Sequence, residues 1–221
     1  MKRAISIGLP VFLLLCCVAS AQQLTFSGGL NLGHWEASED DQSKSADRYG
    51  LYLAGTAELP GFPLRIVGSY SRFAADEVTD IDDVKKKEDS SASLSKLFVG
   101  YDLPSWPVTV GIGHVTQVIR FEGAKITLNG YALAAFTSIP FSDSIQCAAE
   151  FSFAPSLTRK VNDQDAVNCW GYTYDVNLSY RVNEAVAVEL GYRGANSIRR
   201  ANSVDEKTNI AGTYLGARYY F

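Results

Sequence analysis

Beyond its first 21 residues the sequence has no run of about 18 uninterrupted apolar residues, which excludes a transmembrane helix. Histidine is scarce: only His34 and His114 occur, with no Asp-His dipeptide and no Gly-x-Ser-x-Gly turn to support a nucleophile. Basic residues are not in excess. The 20 Lys and Arg face 24 Asp and Glu, a formal net charge of −4, so nucleic acid is excluded as a partner. Four cysteines occur, but Cys16 and Cys17 fall in the first 21 residues. Cys147 and Cys169 remain, and in an exported chain a pair invites a disulfide. The strand phase places them at different heights, so the sequence does not require that bond. The acidic run Asp80-Ile81-Asp82-Asp83 lacks the glycine and the acidic spacing of a calcium loop and reads as solvated surface. Nothing implies a metal or a cofactor.

The first 21 residues read as a cleaved signal peptide. Lys2 and Arg3 give a positive start, 5–18 an apolar core, and Ala19-Ser20-Ala21 a small-x-small cleavage site. The core is too short to span a bilayer, and Gly8 and Pro10 weaken it further. A lipoprotein leader would put Cys16 or Cys17 at the new amino terminus. The residues before them, Leu15 and Cys16, are not the small ones such leaders use. Its removal leaves 22–221 as a single domain.

What the chain does have is alternation. Counting back by twos from Phe221 gives Tyr219, Ala217, Leu215, Thr213 and Ala211, a mostly apolar face. Tyr220, Arg218, Gly216, Tyr214 and Gly212 form the other, with the charge and the glycines. A two-residue period over about 9–11 residues is what a tilted strand needs to cross hydrocarbon. The pattern recurs. Leu24, Phe26, Gly28, Leu30 and Leu32 share one face of a first strand ending near Trp35, and further strands are expected over 48–59, 64–73 and 93–103. A fifth begins at Val108 and a sixth ends at Ile139. Within that pair the alternation slips near His114-Val115 and near Asn129-Gly130, at similar distances from a turn at Glu122-Gly123-Ala124. This predicts a hairpin that continues above the membrane, or a β-bulge at Gly130. Later strands start at Ile145, Trp170, Val186 and Ala211. The eighth alternates most sharply, with Trp170, Tyr172, Tyr174, Val176, Leu178 and Tyr180 opposed to Thr173, Asp175, Asn177 and Ser179.

The total is ten strands, joined alternately by four short turns and five long connections. Four of the latter are polar loops at 36–47, 74–91, 155–168 and 194–207. Short turns on one rim and long loops on the other define an all-β fold, an antiparallel up-and-down transmembrane β-barrel. Eight strands is the alternative, if 108–139 is partly loop. A charge facing lipid at mid-depth costs about 2–4 kcal/mol, so the inward-phased charges are expected to pair in the lumen. They are Glu58, Arg65, Lys96, Asp102, Glu150, Asp175, Glu189, Arg193 and Arg218. Trp35, Tyr49, Trp106, Trp170, Tyr180, Tyr219 and Phe221 cluster near strand ends, where aromatic rings prefer the headgroup level.

With its aromatic carboxyl-terminal strand ending in Phe221, the chain resembles the small bacterial outer-membrane β-barrel proteins, the OmpX, OmpA-barrel and OmpW-like group. The resemblance implies residence in the bacterial outer membrane among its lipids, with loops outside and turns in the periplasm. It also implies insertion by the outer-membrane assembly machinery through the Phe221 end. The expected role is non-enzymatic, structural or adhesive, with the four long loops meeting an extracellular ligand. A narrow channel for small solutes is the alternative. A rim enzyme modifying lipid A is a further one, using His114-Val115-Thr116 with Glu122, with threonine where a serine nucleophile would stand. An omptin-like protease also has ten strands, but it needs the Asp-His pair that is missing.

Overall fold

The structure is a computed structural model that describes residues 23–39, 42–79, 85–121, 123–162, 164, 167–201 and 204–221. The expected leader, the acidic run Asp80-Ile81-Asp82-Asp83 and Glu122 lie outside these residues. Ten strands account for nearly all of them: β1 (Gln23–Glu39), β2 (Gln42–Glu58), β3 (Leu64–Thr79), β4 (Lys85–Asp102), β5 (Val108–Phe121), β6 (Ala124–Pro140), β7 (Ile145–Val161), β8 (Val167–Arg181), β9 (Val186–Ala201) and β10 (Val204–Tyr220). Each pairs antiparallel with its sequence neighbours, and β1 closes on β10 with Thr25 opposite Tyr220. The barrel is therefore ten-stranded, not eight, and every strand edge is paired.

Period-two alternation sorts the side chains between two environments. Leu30, Leu51, Ile112, Leu133, Leu190 and Leu215 all stand exposed on the outer wall. In water such a surface would be an aggregation hazard, and against lipid it is solvated. Trp170 and Tyr180 bracket it on β8. Ten residue steps of about 3.3 Å, tilted by about 40°, rise about 25 Å, the height of a lipid-facing belt.

Beyond the belt the strands continue. They run for 14 to 18 residues, more than the hydrocarbon core requires. Segments 36–47, 74–91, 155–168 and 194–207, expected as loops, are therefore mostly barrel wall. They resembled loops because the polarity of the two faces reverses there: the outside meets water, and the inside becomes the core. On β5, Val110 and Ile112 face out while Val115 and Ile119 face in. On β6, Ile126 and Leu128 face in, before Tyr131 and Leu133 face out. The slips in alternation mark that exchange. β5 and β6 pair without a register shift from Val108 opposite Thr137 to Phe121 opposite Ala124, so the hairpin does rise above the belt and Gly130 is not a bulge between them. The extra residue belongs to β7, which has one more than β6 and β8 between Phe153 and Leu157. Pro155 sits in that bulge, where its missing N–H costs the ladder nothing. A proline that marked a loop in the sequence thus marks an irregularity in a continuous strand.

The interior is divided in the same way. It is mostly small and polar, as expected, only in its turn-side half, where Phe98 and Phe136 pack edge to face. The loop-side half is filled by Phe73, Ile119, Leu128, Leu157 and Ile210, all essentially inaccessible to solvent. Trp35, expected at the membrane interface, belongs to this core. It extends the inward phase of Asn31 and Gly33, is fully enclosed, and stacks on Phe121 with ring centroids 5.6 Å apart.

Candidate functional site

A chamber of about 480 Å³ opens at the turn-side end of the barrel. Its mouth lies beside the turn that carries Trp106 and the end of β8 at Arg181, and hydroxyls and amides from Thr25, Thr56, Ser138, Gln146 and Asn177 line its wall. Inward phase alone delivers these groups, because each sits one position from a lipid-facing residue.

The nine charges expected in the lumen all point inward, and the structure brings them together in ion pairs. Arg65 binds Asp102 at 2.7 Å and Glu58 at 3.6 Å near the mouth. Lys96 on β4 reaches across to Glu150 on β7 at 2.5 Å. Arg193 meets Asp175 at 3.0 Å, and Arg218 meets Glu189 at 2.7 Å. Lys96, Glu189 and Arg193 are at most 3% exposed. Such desolvated charges stay ionised only when paired and hydrogen-bonded, which this arrangement provides.

Above the chamber a layer of rings and charges crosses the barrel. Tyr52 and Tyr214 pack with centroids 4.4 Å apart, and the Arg193 guanidinium lies 4.5 Å from the first ring and 3.9 Å from the second. Tyr52 donates to Glu189 at 2.5 Å, Tyr214 donates to Asp175 at 2.8 Å, and Arg193 also donates to Ser71 Oγ at 3.0 Å. The rings lie flat because the wall beside them has no side chain. A Cβ at Gly191 would strike the Tyr214 ring, and one at Gly216 the Tyr52 hydroxyl. Tyr214 was inward-phased in the sequence, but nothing there showed that it meets Tyr52.

Higher still, the apolar core closes the passage. Near the loop-side mouth, Arg159 and Arg199 each hold one oxygen of Glu206 at 2.5 Å, and Lys44 approaches Glu88 at 3.5 Å. The sequence reading missed these residues because they fell in segments taken for loops.

The expected interface aromatics other than Trp35 are on the outer surface. Tyr49 and Trp170 lie towards the loop side, and Trp106, Tyr180, Tyr219 and Phe221 towards the turn side. Phe151, Phe153, Trp170, Tyr172, Tyr174 and Tyr192 form a continuous set of ring contacts over β7, β8 and β9, with centroids 5.8–6.4 Å apart. Both histidines also face outward. His34 Nδ1 lies 3.0 Å from Asp47 Oδ1, and His114 sits edge-on to Tyr131 with Thr116 Oγ1 at 3.4 Å. Among the described residues no three His, Cys, Asp or Glu side chains are grouped to hold a metal ion.

No known protein family and no curated protein matches the chain. Solved structures do. The outer membrane protease OmpT from Escherichia coli superposes with a TM-score of 0.62 at 10% identity, over 91% of this chain and 98% of that one. The chain has the outer-membrane β-barrel fold. Neisserial surface protein A, NspA, is similar at a TM-score of 0.36 and 18% identity, over 89% of this chain and 97% of that one. Ail, the attachment invasion locus protein of Yersinia pestis, gives 0.34 and 12%, over 90% and 98%. At such identities the likeness is one of fold alone. The fold shared with the Escherichia coli barrel, together with the exposed apolar belt, makes the protein an integral barrel of the bacterial outer membrane, among that membrane's lipids.

Proposed function

We propose that the protein is a non-enzymatic, non-conducting barrel with a structural or adhesive role, whose working surface is the wall that extends beyond the lipid on the loop side. The observation that carries this is the packed apolar interior above the Tyr52–Tyr214 layer. A channel for small solutes needs a continuous wet path, and the turn-side chamber ends at that layer. A lipid A-modifying rim enzyme finds little support in His114, whose ring faces outward against Tyr131 and Thr116. An extracellular ligand would meet the strand tips within 36–47, 74–91, 155–168 and 194–207. The lumen ion pairs would fill and stiffen the cylinder, and the outer aromatics would anchor it at the two headgroup levels. Export would remove 1–21, and the assembly machinery would engage the strand ending at Phe221.

Two measurements test this proposal. In planar bilayers the purified barrel stays electrically silent; steady openings that vanish with Arg65→Glu or Arg218→Glu would establish the channel instead. Displayed on an otherwise non-adherent bacterium, it promotes attachment to host cells or matrix. Shortening the wall on the loop side abolishes that attachment while leaving the heat-modifiable gel mobility of a folded barrel.

A further inference from the structure

Among the described side chains, every buried charge on the inner wall has an opposite charge beside it except one. Arg48, on β2, is 5% exposed. Its guanidinium lies 4.5 Å from the Trp35 ring and donates through Nη2 to Ser90 Oγ at 3.1 Å. Nε and Nη1 meet no acceptor. A ring face and one hydroxyl offset little of the cost of taking a full charge out of water.

Its neighbours are also donors without acceptors. Arg48 stands opposite Gly33, so Asn31 and Trp35 flank it on the inner face of β1. Both are completely enclosed; Trp35 Nε1 and Asn31 Nδ2 have no acceptor, and Asn31 Oδ1 has no donor. The surrounding charge favours the same sign of guest. On the loop-side inner wall the described cations are Lys44, Arg48, Arg159 and Arg199, against only Glu88 and Glu206.

We propose that Arg48, Trp35 and Asn31 form an internal binding site for a small inorganic anion of about chloride size. The anion serves as the counter-charge that the protein does not supply to this guanidinium. Size follows from enclosure: Ala46, Phe73 and Trp35 are all buried around the site, and the turn-side chamber stops below it. Nε–H and Nη1–H lie on opposite sides of the guanidinium, so the anion takes one of them, with an indole or amide N–H completing its shell. The inference is independent of any adhesive role.

The mature barrel in detergent, with Trp106→Phe and Trp170→Phe so that Trp35 is the sole indole, is titrated with sodium chloride replacing sodium gluconate at constant ionic strength. Trp35 emission is expected to change along a saturating curve, and the unfolding midpoint to rise over the same range. Arg48→Met should weaken binding at least about tenfold or abolish it, whereas Arg120→Met, which removes an exposed cation, should leave it unchanged. No response in the parent protein, or an equal response in Arg48→Met, would overturn the site. If Arg48→Met does not fold, Asn31→Ala decides: a weakened titration supports the site and an unchanged one refutes it. Conductance and attachment do not enter this readout, so its failure leaves the proposed function standing.

Discussion

The Tyr52 hydroxyl donates to Glu189 Oε1 at 2.5 Å, tying β2 to β9 past the seam where the barrel closes. Glu189 is almost completely buried and also holds Arg218. Glu189→Ala should lower stability by about 3–5 kcal/mol, because it leaves a largely desolvated guanidinium without its counter-charge. Tyr52→Phe should cost about 1–3 kcal/mol. Urea unfolding in detergent, followed by gel mobility, measures both, and the double variant should cost less than their sum.

Gly191 and Gly216 are bare where the ring layer leans on the wall. Gly191→Ala should therefore destabilise by about 1–3 kcal/mol through overpacking against Tyr214. At outward-facing Gly68 a Cβ would find its nearest neighbour at 3.6 Å. Gly68→Ala should stay within about 0.5 kcal/mol of the parent.

Leu30 faces lipid and Asp89 faces water on the same cylinder. Leu30→Arg should cost about 2–4 kcal/mol in bilayer refolding, while Asp89→Arg should change stability by less than about 0.5 kcal/mol. Equal effects would contradict the placement of the belt.

The β7 bulge sets which way the rest of that strand faces. Ala154 and Leu157 both face in with two outward residues between them, so deleting Pro155 should restore plain alternation, keep Leu157 and Arg159 in the core and still give a heat-modifiable barrel. Pro155→Ala keeps the residue count and should be tolerated within about 1 kcal/mol.

Cys147 and Cys169 are both free. Cys147 stands opposite Leu178, nine positions along β8 from Cys169, a separation of about 30 Å, far beyond the Cα spacing a disulfide allows. Thiol titration of residues 22–221, denatured without reductant, should find both thiols, and the non-reducing gel mobility should match the reduced form.

Where one face meets lipid and the other meets polar neighbours, the strands could be read directly from sequence. Leu24 to Leu32, Trp170 to Tyr180 and Leu215 to Phe221 are phased in the structure as their alternation indicates. The nine inward charges could likewise be found, since a charge one position from Leu or Tyr has only the interior to occupy. Two kinds of feature were hidden. Above the lipid the contrast reverses, so Val115, Ile119 and Leu128 read as lost phase although the ladder is unbroken. Residue type also misled at Trp35 and Pro155: one resembled an interface anchor and the other a loop, while position alone placed them in the core and in a bulge. Meetings between strands far apart in sequence, such as Tyr52 with Glu189 or Arg159 with Glu206, depend on how the sheet curls, which alternation does not encode.

The ring closes where Thr25 faces Tyr220 and Glu39 faces Glu206, pairing the earliest-made strand with the latest. All ten strands must therefore be made before that seam can zip. Until then the sheet is an open curl with two rows of bare amides, vulnerable to proteases and to sticking to its own kind. Without its last hairpin the chain would leave the edge of β1 without the partner it has in the closed ring.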